Sequence, residues 1–79
     1  MKKYEDMPTC YAIANEETRE FYPDSVYTDR NKGMDKLVYL AEYRAKNGMS
    51  PEPMVLEELT EERYKQHQEE WYKWQNMID

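Results

Sequence analysis

The chain has 79 residues, of which 39% are hydrophobic and 35% are charged, and its formal net charge at pH 7 is −6. This length indicates one small domain, and the negative balance argues against general affinity for nucleic acids or anionic membranes. A single cysteine excludes an internal disulfide framework. Apolar runs are too short to cross a bilayer, and the first lysines are not followed by the apolar stretch of a signal peptide. We therefore expect a cytoplasmic protein that does not enter a membrane.

The first residues are polar and end in a proline. This pattern predicts a flexible N-terminal arm at residues 1–8, followed by a single small domain at residues 9–79. Residues 9–14 alternate in size, with Tyr11 and Ile13 on one side and smaller side chains on the other. Such alternation is typical of a β-strand.

A polar turn is expected at residues 15–18, because four consecutive side chains there are polar. Residues 19–22 are then expected to return as a second strand, which Pro23 ends. Residues 25–27 either continue this strand past a bulge or form a separate short strand. Both alternatives place extended chain beside the first strand.

The first helix is predicted to begin after Thr28 or Asp29, to end at Asn47 and to be closed by Gly48. Gly33 lies early in the helix and would let a strand approach closely. Apolar residues recur at helical spacing and predict a buried stripe, which comprises Met34, Leu37, Val38, Leu40, Ala41 and Ala45.

Residues 54–59 are compatible with either a strand or a helix. A helix would use Ser50 as its N-cap and Pro51 as its first residue. Pro53 immediately before this stretch and Thr60 immediately after it favour a short strand, which is the interpretation adopted here.

Residues 60–78 form the longest periodic segment and contain both tryptophans. Thr60 is a suitable N-cap, and the glutamates that follow it favour the positive end of a helix. One helix face carries side chains at steps of three and four residues, namely Tyr64, His67, Trp71, Trp74 and Ile78. The segment is therefore predicted to be a long amphipathic helix.

The order of these elements is β-β-α-β-α. It predicts an α+β fold with a small, mostly antiparallel three-stranded sheet and two helices. The aromatic C-terminal helix either packs beside the first helix or projects to meet a partner.

No catalytic, cofactor or metal site is predicted. The single His67 and the single Cys10 are fewer than the three or four ligands of a zinc site. Cys10 lies in a predicted strand, away from the helix N-termini and glycine elbows that activate a thiol. The two glycines are too far apart to form a phosphate-binding loop. We therefore expect a protein that is not an enzyme, and we expect His67 to pack against tryptophan.

Aromatic residues suggest a surface that binds another protein, because tryptophan and tyrosine bury large rigid areas at low entropic cost. The candidates on the last helix are Trp71, Tyr72, Trp74 and Met77, and Tyr39 and Tyr43 form a second patch. These two tyrosines alternate with Lys32, Lys36 and Lys46. Such a face also suits direct nucleic-acid binding, which the net charge disfavours.

Acidic doublets recur toward the C-terminus, as Glu57/Glu58, Glu61/Glu62 and Glu69/Glu70. A charge ladder of this kind can imitate a nucleic-acid backbone and occupy a basic groove. The alternative function is therefore an acidic nucleic-acid mimic that blocks a nuclease or another basic nucleic-acid-binding protein. The simpler interpretation is a solvated face.

In its small size, its acidity and its richness in Tyr, Met and Glu, the chain resembles small orphan proteins of bacteriophages and mobile elements. The resemblance implies an inhibitor or adaptor that acts stoichiometrically on one host protein, and it assigns no role to any residue. A homodimer is also expected, because a long last helix would leave residues 74–78 beyond the edge of a small sheet.

Overall fold

The computed structural model of the chain describes residues 8–77. Its elements are β1 (Tyr11–Asn15), α1 (Arg30–Lys46), β2 (Met54–Glu58) and α2 (Glu61–Asn76). The α+β class is confirmed, as are both helices and the strand at residues 54–58. Most of the predicted N-terminal arm, residues 1–7, lies outside the described part of the chain.

The sheet has two strands, and the prediction of three is wrong. β1 and β2 run antiparallel, with Ile13 opposite Leu56 at the centre of the register. The segment after β1 approaches its other edge only through single bridges, Tyr11 to Tyr27 and Ala14 to Phe21. β1 is therefore the middle of a layer whose third member is irregular.

Pro23 explains why this third member is not a strand. Proline has no N–H to donate to a ladder, and the next residue, Asp24, donates its own N–H back to the carbonyl of Tyr22 at 2.7 Å. The chain therefore turns away from β1 and returns only at Tyr27, which exchanges two backbone hydrogen bonds with Tyr11 at 2.7 and 2.8 Å. The carbonyl of Asp24 is left for a partner outside the sheet.

The polar turn after β1 forms where the sequence predicts it. The Asn15 side chain accepts hydrogen bonds from the N–H groups of Glu17 and Thr18 at 2.9 and 3.0 Å. Arg19 then adopts a positive φ of 66°, an uncommon conformation for a residue with a side chain. This turn directs the chain back along β1 toward Phe21.

The two faces of the sheet are covered by different helices. The small side chains of β1, including Ala12 and Ala14, form a buried cluster with Phe21 and Leu59, and Trp74 of α2 packs against it. Side chains on the opposite face of the sheet, such as Ile13 and Leu56, lie beneath α1, since strand residues alternate between faces. The helices therefore sandwich the sheet.

The residues that directly flank α1 cap both of its ends. The Asp29 side chain accepts from the N–H of Asn31 at 2.9 Å. After the helix, Gly48 has a φ of 69°, its N–H donates to Ala45, and the N–H of Met49 donates to Arg44. This pair of bonds is a Schellman motif, and it satisfies the last carbonyl groups of the helix.

Gly33 is the buried residue of α1, and it sets the distance between α1 and the sheet. A Cβ atom at this position would lie 2.8 Å from Cδ1 of Leu56, so the predicted close approach of a strand is confirmed. The predicted buried stripe is wrong in part, since Val38 is 49% exposed and Ala41 and Ala45 are also exposed. The sheet is too narrow to cover more than one side of a 17-residue helix.

α2 begins as predicted, with the Thr60 hydroxyl accepting from the N–H of Arg63 at 3.2 Å. Its first turn carries Glu61 and Glu62, which favour the positive end of the helix dipole. Across residues 8–77, neither helix is both long enough and apolar enough to span a membrane.

Candidate protein-binding surfaces

His67 lies at the centre of an aromatic cluster that joins α2 to the segment after β1. Its side chain is 1% exposed, and its Nε2 atom is 2.8 Å from the carbonyl oxygen of Asp24. Because a carbonyl oxygen only accepts, Nε2 carries the proton and donates. The imidazole stacks on Trp71 at a centroid distance of 6.2 Å, and the rings of Phe21 and Trp74 meet it edge-on at 5.1 and 5.8 Å. The predicted packing of this histidine against tryptophan is confirmed.

This environment keeps the imidazole neutral. Burial lowers the pKa of His67, and the Asp24 carbonyl and the carboxylates of Glu70 and Asp24 oppose that effect. Its Nδ1 atom is buried and makes no hydrogen bond within residues 8–77. Protonation would create a second N–H without an acceptor, so the residue serves as a fixed donor to Asp24.

Part of the predicted patch on α2 is half-buried, and the rest is exposed. Trp71 and Trp74 are half-buried, with their rings edge-on at 6.1 Å, and Trp74 packs against the core instead of extending beyond the sheet. Tyr72 and Met77 remain at the surface, 67% and 80% exposed. Ile78, which was expected to extend the same patch, lies outside the described residues.

Arg63 forms an ion pair with Glu57, which removes the charge of Glu57 from the predicted acidic ladder. The Nε and Nη2 atoms of Arg63 donate to the two carboxylate oxygens of Glu57 at 2.7 and 2.9 Å, and these side chains are only 14% and 17% exposed. The guanidinium group also lies 4.1 Å above the ring of Phe21 and donates to the Arg19 carbonyl at 2.9 Å. The hydrogen bonds from Arg63 lower the pKa of Glu57, although burial acts in the opposite direction.

The rest of the acidic ladder is uneven. Glu70 is half-buried and accepts a hydrogen bond from the Gln66 side chain at 2.9 Å. The other carboxylates of the doublets are exposed, at Glu58, Glu61, Glu62 and Glu69. Four of the six predicted acidic residues are therefore exposed to solvent.

One face of α1 combines tyrosines with lysines, as its sequence spacing predicts. Tyr39 and Tyr43 are 57% and 52% exposed, and their ring centroids are 6.5 Å apart. The Nζ atom of Lys36 is 5.4 Å from the centroid of the Tyr39 ring, within range of a cation–π contact. A positive charge is therefore held beside exposed aromatic rings.

Tyr43 also borders an apolar groove, here called the Tyr43 groove. It has a volume of about 180 Å³ and is lined by Tyr22, Leu40, Tyr43, Arg44, Met49 and Met54. A cavity of about 220 Å³ shares Arg44, Met49 and Met54 with it and extends toward Ala41, Ala45 and Pro51. Methionine side chains are flexible and polarizable, so they adapt well to the shape of a bound side chain.

The walls of the Tyr43 groove are fixed by polar contacts. Nε and Nη2 of Arg44 donate to the carbonyl of Ser50 at 3.2 and 2.9 Å, and Nη2 lies 3.4 Å from the carboxylate of Glu52. The Tyr22 hydroxyl donates to the same carboxylate at 2.6 Å. Burial, and then the hydrogen bond to Glu52, raise the pKa of Tyr22. The loop after α1 is thus tied to two other segments, and such pre-organisation reduces the entropic cost of binding.

The single cysteine of the chain is buried within the fold. Cys10 is 2% exposed, and burial raises the pKa of its thiol, which disfavours the reactive thiolate. Across residues 8–77, no group of three or more His, Cys, Asp or Glu side chains is placed to hold a metal ion.

Of the residues that line the Tyr43 groove, the sequence predicts only Tyr43 as part of a binding surface. Its periodicity places Leu40 in the buried stripe and Met54 in a strand, and it gives Met49 no role. A signal was present, because Met49 directly follows the helix-ending Gly48 and belongs to no periodic pattern. An apolar side chain at that position tends to fold back on the last turn of the helix.

Comparisons of the chain with protein-family models, with curated proteins and with solved structures found no match. The proposals below therefore rest on the geometry of the chain itself, in particular on the exposed faces of α1 and α2.

Proposed function

We propose that the chain is a non-catalytic protein-binding module. The observation that carries this proposal is the Tyr43 groove, an apolar depression with fixed walls beside the exposed rings of Tyr39 and Tyr43. Binding hot spots are enriched in tyrosine, tryptophan and arginine, and they cluster near the centre of an interface in well-packed pockets. Tyr72 and Met77 on α2 provide a second, smaller apolar surface.

The Tyr43 groove and the cavity beside it offer adjoining sites for side chains of a protein partner. The cavity has a volume of about 220 Å³, and the groove has a volume of about 180 Å³. That volume suits one apolar side chain of a partner, with the tyrosine rings covering the contact from the side. Several neighbouring contacts of modest strength would then form an interface.

The size and composition of the chain support a stoichiometric role as an inhibitor or adaptor of one host protein in the cytoplasm. The chain as a whole is acidic while α1 carries a net positive charge. Two differently charged surfaces of this kind suit two differently charged parts of one partner. Either α1 or α2 would also serve in a homodimer, which is part of the same proposal.

An affinity capture with the purified chain tests the proposal. We expect one protein to co-purify at a fixed ratio and Tyr43→Ala to weaken its capture by about tenfold or more, since hot-spot tyrosines contribute about 2 kcal/mol. Thermal unfolding should be nearly unchanged, because the Tyr43 side chain is half exposed. Tyr72→Ala applies the same test to the second surface, on α2. Capture that neither substitution affects would contradict the assignment of both surfaces.

The alternative proposal is an acidic nucleic-acid mimic. The exposure of Glu58, Glu61, Glu62 and Glu69 supports it, while the ion pair of Glu57 with Arg63 removes one charge from the ladder. A partner held by such a ladder should dissociate steeply as the salt concentration rises above about 150 mM, where the Debye length is ~8 Å. A partner held in the Tyr43 groove should respond weakly, so a flat salt profile excludes the mimic.

A further inference from the structure

We infer that the Tyr43 groove and the adjoining lysine-bearing face of α1 bind an acidic amphipathic segment of a partner protein. The inference rests on the proposed protein-binding function and adds the chemistry of the partner. It draws on three features of α1, namely its charge, the position of that charge relative to the groove, and the apolar lining of the groove.

α1 is the basic element of an acidic chain. It contains five basic and two acidic residues, a net charge of +3, whereas the whole chain carries −6, so all other residues together carry −9. A partner that meets this helix in preference to the rest of the surface must carry negative charge. Complementary charge also steers association and fixes the register of the two partners.

Two positive charges of α1, those of Lys32 and Lys36, lie on the side of the groove. A helix turns by about 100° per residue, which places Lys32 and Lys36 on the same flank as Tyr39 and Tyr43. The two acids, Asp35 and Glu42, fall further round the helix, away from the groove. The acid that does line the loop beside the groove, Glu52, already pairs with Arg44 at 3.4 Å and accepts from the Tyr22 hydroxyl. The charge that α1 itself presents along this flank is therefore positive.

The apolar lining favours a protein segment over a nucleic acid. Lysines alternating with tyrosines also suit a phosphate backbone with stacked bases. However, Leu40, Met49 and Met54 form a depression for an aliphatic or aromatic side chain, and nucleic acids carry no such side chain on a flexible stem. The distance from Lys32 to Tyr43 is about 16 Å along the helix. A partner helix of roughly three turns, with carboxylates on one side and a leucine or phenylalanine at one end, would span it.

Selection from a displayed library of random 16-residue peptides against the purified full chain tests this inference. We expect the enriched peptides to combine several Asp or Glu residues with Leu or Phe at helical spacing. Binding of the best synthetic peptide is then measured by fluorescence anisotropy. We expect Tyr43→Ala to weaken it by about tenfold or more, and Lys32→Gln with Lys36→Gln to weaken it by roughly threefold to tenfold in a salt-dependent manner.

Lys73→Gln on α2 is the matched charge control and should change the affinity less than twofold, whereas Tyr72→Ala shows whether a peptide uses the other apolar surface. Circular dichroism verifies that each variant is folded. Enriched peptides that are basic or neutral would overturn the inference, as would a single-stranded RNA or DNA probe that competes for the same face. Peptides that respond only to Tyr72→Ala would overturn it as well, yet would leave the protein-binding function intact. No enrichment, together with no captured partner, would contradict both.

Discussion

At the scale of single residues, His67 and Arg63 attach α2 to the irregular segment between β1 and α1. His67 donates a hydrogen bond to the backbone carbonyl of Asp24, which does not pair with β1 because the chain turns away at Pro23. Arg63 donates to the backbone carbonyl of Arg19, and its guanidinium group lies over the ring of Phe21. These contacts compensate for the third strand that does not form. The stability of the α2 attachment should therefore depend on a few polar groups.

We predict that lowering the pH from about 7 to about 5 reduces the free energy of unfolding through His67. Burial lowers the pKa of the folded imidazole, so the unfolded chain takes up the proton first as the pH falls below about 6.5. The loss of stability begins near that pH, grows until the folded pKa is reached and then stops. Urea unfolding followed by tryptophan fluorescence at several pH values measures it.

His67→Phe is the variant that tests this pH dependence, because phenylalanine fills the aromatic site but does not titrate. We expect it to lose about 1–3 kcal/mol near pH 8, since the carbonyl of Asp24 is left without a donor. Its stability should then hardly change between about pH 7 and 5. The pKa of Glu57 is lowered, so this carboxylate affects stability only at more acidic pH. A variant that keeps the pH response of the parent would contradict the role given to His67.

At the scale of secondary structure, Gly33 determines how α1 packs on the sheet. We predict that Gly33→Val lowers the free energy of unfolding by about 1–3 kcal/mol, because its side chain must displace Leu56. Ala41→Val places the same side chain at an exposed site of the same helix, and it should cost only about 0.5 kcal/mol through helix propensity. Chemical denaturation measures both. Equal losses would mean that α1 does not rest on Leu56.

The elements that the sequence predicts well are those with local causes. Asp29, Gly48 and Thr60 act on backbone groups within one helical turn, so each cap is visible in a few neighbouring residues. The approach at Gly33 is also visible, since only one residue in that helix lacks a side chain.

The remaining features depend on contacts between distant parts of the chain. Whether Phe21 joins a strand depends on how Pro23 meets β1, and periodicity alone does not show that the sheet is too narrow to cover Val38. The pairing of Glu57 with Arg63 requires the corner between β2 and α2 to bring them together. The Tyr43 groove is assembled from four separate stretches of sequence, so no single pattern identifies it.

At the scale of the whole molecule, the chain is elongated. Its dimensions are 48 × 32 × 21 Å and its radius of gyration is 13.5 Å, against about 12 Å for a compact chain of this length. Among residues 8–77, the buried hydrophobic residues are few, and three of them are the small Cys10, Ala12 and Ala14. Much of each helix therefore contacts solvent, which is consistent with surfaces that a second molecule covers.

We predict that the chain self-associates weakly through Tyr72 and Met77, the most exposed large apolar side chains of α2. Analytical ultracentrifugation at ~100 μM, where small interfaces become populated, should show species heavier than one 9.7 kDa protomer. The double substitution Tyr72→Ala and Met77→Ala should restore a single protomer. Tyr39→Ala, at a tyrosine of comparable exposure on α1, is the control and should have no effect. A parent chain that sediments as one protomer at this concentration would contradict the prediction.

The two-stranded sheet also has a consequence for aggregation. Within residues 8–77, no strand pairs with the second edge of β2. Because Tyr11 and Asn15 direct their backbone bonds toward the segment at residues 20–27, the register turns backbone groups of Leu56 and Glu58 toward that open edge. Open edges recruit strands from other molecules, and charged side chains such as Glu58 deter this. Glu58→Gln removes that charge from the open edge. Fibrils, more than dispersed unfolded chains, are therefore the expected product when this variant is incubated for long periods.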